Sequence, residues 1–169
     1  MGSGIVQCCI EHGFTTPAND IRDEFVQRGV GGITQRMEGK VAKGKITEEK
    51  KTEILGNLKT STDLADAKDA DVVVEVVFED MALKRDIFTR LDEICPPHTI
   101  FASNSSSLPI TEMAGFTKRP DKVMGMHFLQ PVPVMPLVNA IRGLLTSDET
   151  NAAIEKLARD IGKEVIQWQ

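Results

Sequence analysis

The sequence predicts an α/β fold in which strands alternate with helices and form a doubly wound parallel sheet. The clearest strand covers residues 71–77, where a run of β-branched valines suits a sheet buried on both faces. A helix follows at residues 81–94, with apolar side chains at helical spacing. Small polar residues and a histidine then stand where the next two strands end, and open α/β sheets bind ligands at that edge.

In the N-terminal third, the spacing of apolar residues and the placement of glycines predict three helices and two short strands. Gly13 ends the first helix. Pro17 limits the first strand to a sheet edge, because proline has no N–H to donate to a neighbouring strand. A lysine–glycine–lysine turn joins the second and third helices into a hairpin. The predicted helices cover residues 3–12, residues 21–41 and a segment from Thr47, and the predicted strands cover residues 14–20 and 58–60.

In the rest of the chain, Glu75 interrupts the valine strand, and a last helix starts at Ser147 or Asp148 and ends at Gly162. The helix at residues 81–94 is predicted to bury one apolar side, formed by Leu83, Ile87, Leu91 and Ile94. The remaining predicted strands cover residues 99–103, 122–127, 137–141 and 164–167.

Length and composition favour a single globular domain over residues 1–169, with 41% hydrophobic and 27% charged residues. The formal net charge of −5 argues against a nucleic-acid partner, which would call for a basic stripe. No apolar run approaches the length of a membrane span, so no membrane association is expected.

The cysteines favour a reduced, cytoplasmic protein, because their number is odd and two are adjacent. No metal site is expected, since the histidines are far apart and no CxxC or HxxxH spacing occurs. The residues concerned are Cys8, Cys9 and Cys95, and His12, His98 and His127.

The most specific motif lies in residues 101–139, which include FASNSSSLPIT and GMHFLQPVPVMPLV. Local chemistry leaves two interpretations open: a hydroxyl and an imidazole that hold and deprotonate an alcohol, or a serine turn beside a capping histidine. Together with MGSGI at the start and TSTDLADAKDADVVVEVVFEDMALKRDIF in the middle, the motif resembles the NAD-binding domain of 3-hydroxyacyl-CoA dehydrogenases. The resemblance implies a Rossmann-type doubly wound sheet that lacks the family's usual first strand.

The resemblance also implies a reaction, the NAD-dependent oxidation of a 3-hydroxyacyl-CoA to a 3-oxoacyl-CoA. Ser106 matches the hydroxyl that holds the substrate oxygen, and His127 matches the base. Asn104 matches a residue near the nicotinamide. Asn139 stands at the position of the family's glutamate partner of the histidine, so impaired activity is expected.

Further residues match the family's cofactor site. Gly2 matches the last glycine of the phosphate loop, where helix and strand pack closely, although a flexible terminal glycine is an open alternative. Asp20 matches the acid that binds the ribose diol, and it also suits an N-cap for a helix from residue 21. Glu79 and Lys84 match positions near the cofactor, with a helix-start acid and a solvated lysine as alternatives. Gln130 stands where the family has an asparagine.

Lys43 and Lys45 on the helical hairpin are candidates to bind the phosphates of coenzyme A, with a solvated basic face as the alternative. The family's C-terminal helical domain is expected to be absent from this chain, together with the dimer that it forms. Instead, a homodimer is expected in which a neighbouring chain covers unpaired strand edges. A non-catalytic binding or assembly module is the alternative function.

Overall fold

The computed structural model describes residues Met1–Trp168, in which six α-helices and seven β-strands follow one another. The helices are α1 (Gly2–Glu11), α2 (Asp23–Ala42), α3 (Glu48–Leu55), α4 (Met81–Ile94), α5 (Ile110–Ala114) and α6 (Asp148–Asp160). The strands are β1 (Thr16–Asn19), β2 (Leu58–Ser61), β3 (Val72–Glu75), β4 (Ile100–Ser103), β5 (Val123–Phe128), β6 (Leu137–Arg142) and β7 (Glu164–Trp168). None of these helices combines the length and apolar character that a bilayer span requires.

The strands form two sheets, which confirms the predicted α/β class with mostly parallel pairing. One sheet has the order β1-β2 and the other has the order β3-β4-β5-β6-β7. A single antiparallel pair, β5 with β6, interrupts the parallel pattern among the described residues. Its cause is the connection between these strands, which contains no helix, because a parallel return needs a crossover of a dozen or more residues.

Two compact units divide the chain. The first contains Met1–Leu64 and Gln130–Val134, and the second contains Ala65–Leu129 and the chain from Met135 onward. The predicted single domain over residues 1–169 stays a prediction. In the first unit, α1, α2 and α3 share a buried apolar cluster formed by Ile10, Ile33, Met37 and Ile54.

Turn chemistry explains the limits of the helices in the first unit. Gly13 and Gly44 have positive φ angles of 86° and 71°, which confirms the predicted helix stop and the predicted turn of the hairpin. Thr47 caps α3 through its side chain, which accepts a hydrogen bond from the N–H of Lys50.

Two predictions in the first unit are wrong. Asp20 does not cap a helix, because α2 begins at Asp23 with Arg22 as its N-cap. Gly2 does not mark a close approach, since a Cβ added there would meet no atom within 4 Å. The close approach lies at Gly4, where an added Cβ would be 2.9 Å from the Cβ of Val132.

In the second unit, the valine strand is shorter than predicted and ends at Glu75. The buried face of α4 also differs from the prediction, because Lys84, Phe88 and Leu91 are buried whereas Leu83 is 36% exposed. The physical reason is the carboxylate of Glu75, which lies buried beside the helix and pairs with the Lys84 ammonium. Lys84 is therefore buried in place of its neighbour Leu83.

The C-terminal helix follows the prediction. Ser147 caps α6 by accepting a hydrogen bond from the N–H of Thr150, and Gly162 ends the helix with a φ of 80°. This helix packs on β5, β6 and β7 and leaves the carboxyl ends of β3, β4 and β5 at one edge of the sheet.

Candidate active site

A loop of residues 104–108, called the serine loop below, leaves the sheet at the carboxyl end of β4. The backbone N–H of Asn104 donates to the carbonyl oxygen of Glu75 on β3 at 2.9 Å. The side-chain oxygen of Asn104 accepts a hydrogen bond from the N–H of Phe128 on β5 at 2.8 Å. The start of the serine loop is therefore joined to the ends of both neighbouring strands.

The three serines of this loop have different environments. The buried Ser105 hydroxyl donates to Glu79 and accepts from the N–H of Leu108 at 2.9 Å. The hydroxyl and the N–H of Ser107 donate to the same oxygen of Glu79, at 3.1 and 3.3 Å. Ser106 is exposed, and its hydroxyl forms no hydrogen bond within the described part of the chain. Ser106 therefore presents the available hydroxyl of the loop.

Glu79 is the anion to which the serine loop is fastened. Partial burial raises the pKa of its carboxyl, but hydrogen bonds from Ser105 and Ser107 and the charge of Lys84 outweigh burial and lower the pKa to about 2. The side chain of Glu79 is 37% exposed, so solvent and a bound ligand have access to it. Glu79 is a carboxylate at neutral pH.

Lys84 lies beside this carboxylate but is not solvated, so the alternative of a solvated lysine is wrong. Its side chain is 1% exposed, and its ammonium is 2.7 Å from Glu75 Oε1 and 3.7 Å from Glu79 Oε2. From the sequence, Glu75 is expected only as an interruption of the valine strand. A second acid four residues before Glu79 and a lysine in the first turn of the next helix were the available signals.

His127 and Asn139 face each other across the antiparallel pair of β5 and β6. Directly opposed residues of such a pair point to the same face of the sheet, with Cβ atoms about 4.5–5.5 Å apart. Both side chains are partly exposed, and neither forms a hydrogen bond among residues Met1–Trp168. The predicted base and the residue at the acidic position are thus neighbours, and no carboxylate stands opposite the imidazole.

The first unit holds the other predicted site residues. Asp20 follows β1 and is exposed, with one carboxylate oxygen accepting from the N–H of Ile21 at 2.8 Å. Gln130 and Arg36 help to line a cavity of about 260 Å³ at the N-terminal end of α1.

The predicted CoA-binding lysines are on the hairpin of α2 and α3. Lys43 and Lys45 are exposed and form no ion pair within the residues described, so both interpretations of this basic face stay open.

The chain is similar to known proteins over almost its whole length. The family model described as 3-hydroxyacyl-CoA dehydrogenase, NAD binding domain, matches residues 1–169. The "Probable 3-hydroxybutyryl-CoA dehydrogenase" of Bacillus subtilis is 45% identical over 167 residues, which are 99% of this chain and 58% of the relative. The 3-hydroxybutyryl-CoA dehydrogenase of Clostridioides difficile is 42% identical over 163 residues, which are 96% of this chain and 58% of the relative.

A solved structure gives the same result. The crystal structure of (S)-3-hydroxybutyryl-CoA dehydrogenase from Ralstonia eutropha matches with a TM-score of 0.96 and 43% identity, covering 99% of this chain and 59% of that one. The chain thus spans 58% of the length of the first curated relative that it matches. By its sequence and its fold, the chain belongs to the NAD-binding domain family of the 3-hydroxyacyl-CoA dehydrogenases.

Proposed function

We propose that this chain takes part in the NAD-dependent oxidation of a 3-hydroxyacyl-CoA to the 3-oxoacyl-CoA. The observation that carries the proposal is the hydrogen bond from the N–H of Phe128 to the side chain of Asn104. It joins the loop that bears the free Ser106 hydroxyl to the strand end that bears His127. A hydroxyl and an imidazole on adjoining segments suit the deprotonation of an alcohol.

In the proposed reaction, the Ser106 hydroxyl holds the substrate's 3-oxygen, and a ring nitrogen of His127 accepts the hydroxyl proton. An imidazole suits this step because it exchanges protons near neutral pH. NAD⁺, when bound, would accept the hydride that leaves C3 of the substrate. Asn139 can orient the imidazole but carries no charge to stabilise an imidazolium, so we keep the prediction that turnover is impaired.

Several residues of the first unit suit parts of the cofactor. In the first unit, one oxygen of Asp20 makes no hydrogen bond among the described residues and is free to accept from a ribose diol. The first N–H groups of α1, beginning at Gly2, have no partner inside the helix and suit a pyrophosphate. Gln130 lines the cavity at this helix end.

In the second unit, Glu79 presents a partly exposed carboxylate and Asn104 lies at the end of β4. We keep both as cofactor-site residues. Lys84 affects the cofactor site indirectly, through its charge beside Glu79, because its own side chain is 1% exposed. Lys43 and Lys45 remain candidates for the phosphates of coenzyme A, which would meet two exposed ammonium groups on the hairpin.

The test is the formation of NADH from (S)-3-hydroxybutyryl-CoA and NAD⁺, followed by absorbance. We expect slow but measurable turnover that His127→Gln abolishes. His98→Gln is the matched control, since His98 is 60% exposed and its ring bonds to Asp71 on the surface. Turnover that persists in the His127 variant would contradict the assignment. Absence of turnover with intact binding of both ligands would favour the non-catalytic module.

We also propose that the chain forms a homodimer in the cytoplasm. A dimer is supported by β7, an edge strand with exposed apolar side chains at Ile166 (40%) and Trp168 (57%), because such edges recruit other chains. A reducing compartment is supported by Cys8, Cys9 and Cys95, which form no disulfide among the described residues. Light scattering at micromolar concentration tests the dimer, and a stable monomer would rule it out.

A further inference from the structure

A buried ion pair joins the end of β3 to the first turn of α4. Glu75 Oε1 accepts hydrogen bonds from the Lys84 ammonium and from the N–H of Val77, both at 2.7 Å. Glu75 Oε2 accepts from the hydroxyl of Ser103 on β4 at 2.6 Å. The side chains of Glu75 and Lys84 are each 1% exposed. Because an unpaired buried charge is costly, each of these residues holds the other in place.

Two routes lead from this pair to the serine loop. On the first, Lys84 lies 3.7 Å from Glu79 Oε2, while Glu79 Oε1 accepts from the hydroxyls of Ser105 and Ser107. On the second, the hydroxyl of Ser103, which donates to Glu75, accepts from the N–H of Ser105 at 3.2 Å. Both routes end at Ser105, the residue directly before Ser106.

Outside the serine loop, Lys84 provides the charged contact of Glu79. The segment 76–80 between β3 and α4 forms neither helix nor strand, and Phe78 within it is 85% exposed. Apart from the bonds to the serine loop, the Glu79 carboxylate contacts one charged group among the described residues, the Lys84 ammonium. The buried Lys84 charge therefore contributes, through Glu79, to the position of the loop.

We propose that Glu75 and Lys84 are positioning residues, which fix the serine loop through Glu79 and Ser103 so that only Ser106 offers its hydroxyl to a ligand. Neither residue needs to contact that ligand. The proposal rests on the proposed function only for the role of Ser106. The immobilisation of the loop is a property of the chain alone and is measurable without substrate or cofactor.

The main variant is the double substitution Glu75→Gln with Lys84→Met, which removes both buried charges and so leaves neither unpaired. Amide hydrogen exchange is measured on the full chain at Ser107 and Leu108, whose N–H groups bond to Glu79 and Ser105. We expect exchange at these amides to become about tenfold faster, the effect of losing roughly one hydrogen bond locally. Exchange in β4 and β5 should stay unchanged.

Two further variants separate positioning from general destabilisation. Asp92→Asn breaks a second buried ion pair, between Asp92 and Arg119, in which the side chains are 6% and 10% exposed, respectively. It should leave exchange in the serine loop unchanged. Glu79→Gln removes the partly exposed carboxylate itself, and it should speed exchange in the loop even where the double variant does not fold.

A spectroscopic measurement completes the test. Carbon NMR follows the titration of the Glu79 carboxyl. Its pKa should rise in the double variant, which loses the Lys84 charge, and should stay unchanged in Asp92→Asn, which keeps that charge. Unchanged loop exchange in a folded double variant, unchanged loop exchange in Glu79→Gln, or an equal effect of Asp92→Asn would each overturn the proposal. Neither readout uses NAD⁺ or acyl-CoA, so a failure here is distinct from a failure of the proposed reaction.

Discussion

Ser105, Ser106 and Ser107 are identical in chemistry, and their surroundings alone distinguish them. The motif predicts a serine-rich turn after β4, and the family resemblance singles out Ser106. The sequence could not reveal why the middle hydroxyl is free, because that depends on Glu79, which lies 26 and 28 residues before its serine partners. Side-chain bonds over such separations leave no periodic pattern in the sequence.

We therefore expect replacement of Ser105 to affect stability and replacement of Ser106 to affect activity. Ser105→Ala removes a buried hydroxyl with two partners and should lower the free energy of unfolding by about 1–3 kcal/mol. Ser106→Ala changes an exposed side chain and should stay within about 0.5 kcal/mol of the wild type. Its turnover should nevertheless fall by about 10²–10³, the usual cost of removing one such hydrogen-bond donor. Urea unfolding and NADH formation measure the two effects, and an active Ser106→Ala variant would refute the assignment.

Asn139 is the residue whose replacement should improve the site. It stands opposite His127 in the β5–β6 pair, so Asn139→Glu would bring a carboxylate to the face of the imidazole. We expect turnover at saturating NAD⁺ to rise. The rise should be at most about 10⁴-fold, which is the loss of turnover when asparagine replaces the orienting aspartate of a serine protease. Asn139→Gln is the control, because it lengthens the side chain without adding charge. An equal response of the two variants would count against the pairing.

At the scale of elements, local patterns predicted the position of most strands and helices, whereas long-range pairing decided the rest. Valines 72–74 and the caps of α6 were readable from the sequence. The direction of β6 was not, because it depends on a connection without a helix. The buried face of α4 was also missed, since burial of Lys84 becomes favourable only with Glu75 beside it.

The bonds between Glu79 and the serine loop should make the free energy of unfolding depend on pH in the acid range. The pKa of Glu79 is about 2 in the folded chain, below its ordinary value of 4.5. A lowered carboxyl pKa stabilises the folded state above the ordinary pKa, and this contribution is lost as the pH falls from about 4.5 to about 2. The difference in unfolding free energy between wild type and Glu79→Gln should therefore shrink across this range and be constant above it. Urea unfolding measures this difference. A difference that stays constant from pH 5 to pH 2 would contradict the prediction.

At the scale of the whole molecule, the two sheets and two compact units were not foreseen, because the sequence shows strands but not which of them pair. Membership of the family was foreseen, since motifs spread along the whole chain carry it. The matched motifs extend over 99% of this chain and 58% of the first curated relative.

The most direct measurement is isothermal titration of NAD⁺ into the wild-type chain and two aspartate variants. We predict saturable binding to one site per chain, weakened about tenfold or more by Asp20→Ala, because that change removes a charged acceptor for the ribose diol. Asp23→Ala is the control, since Asp23 is an exposed aspartate in the first turn of α2 that has no proposed role. No saturable heat with NAD⁺, or equal weakening by the two substitutions, would contradict the assignment of this chain as a working NAD-binding domain.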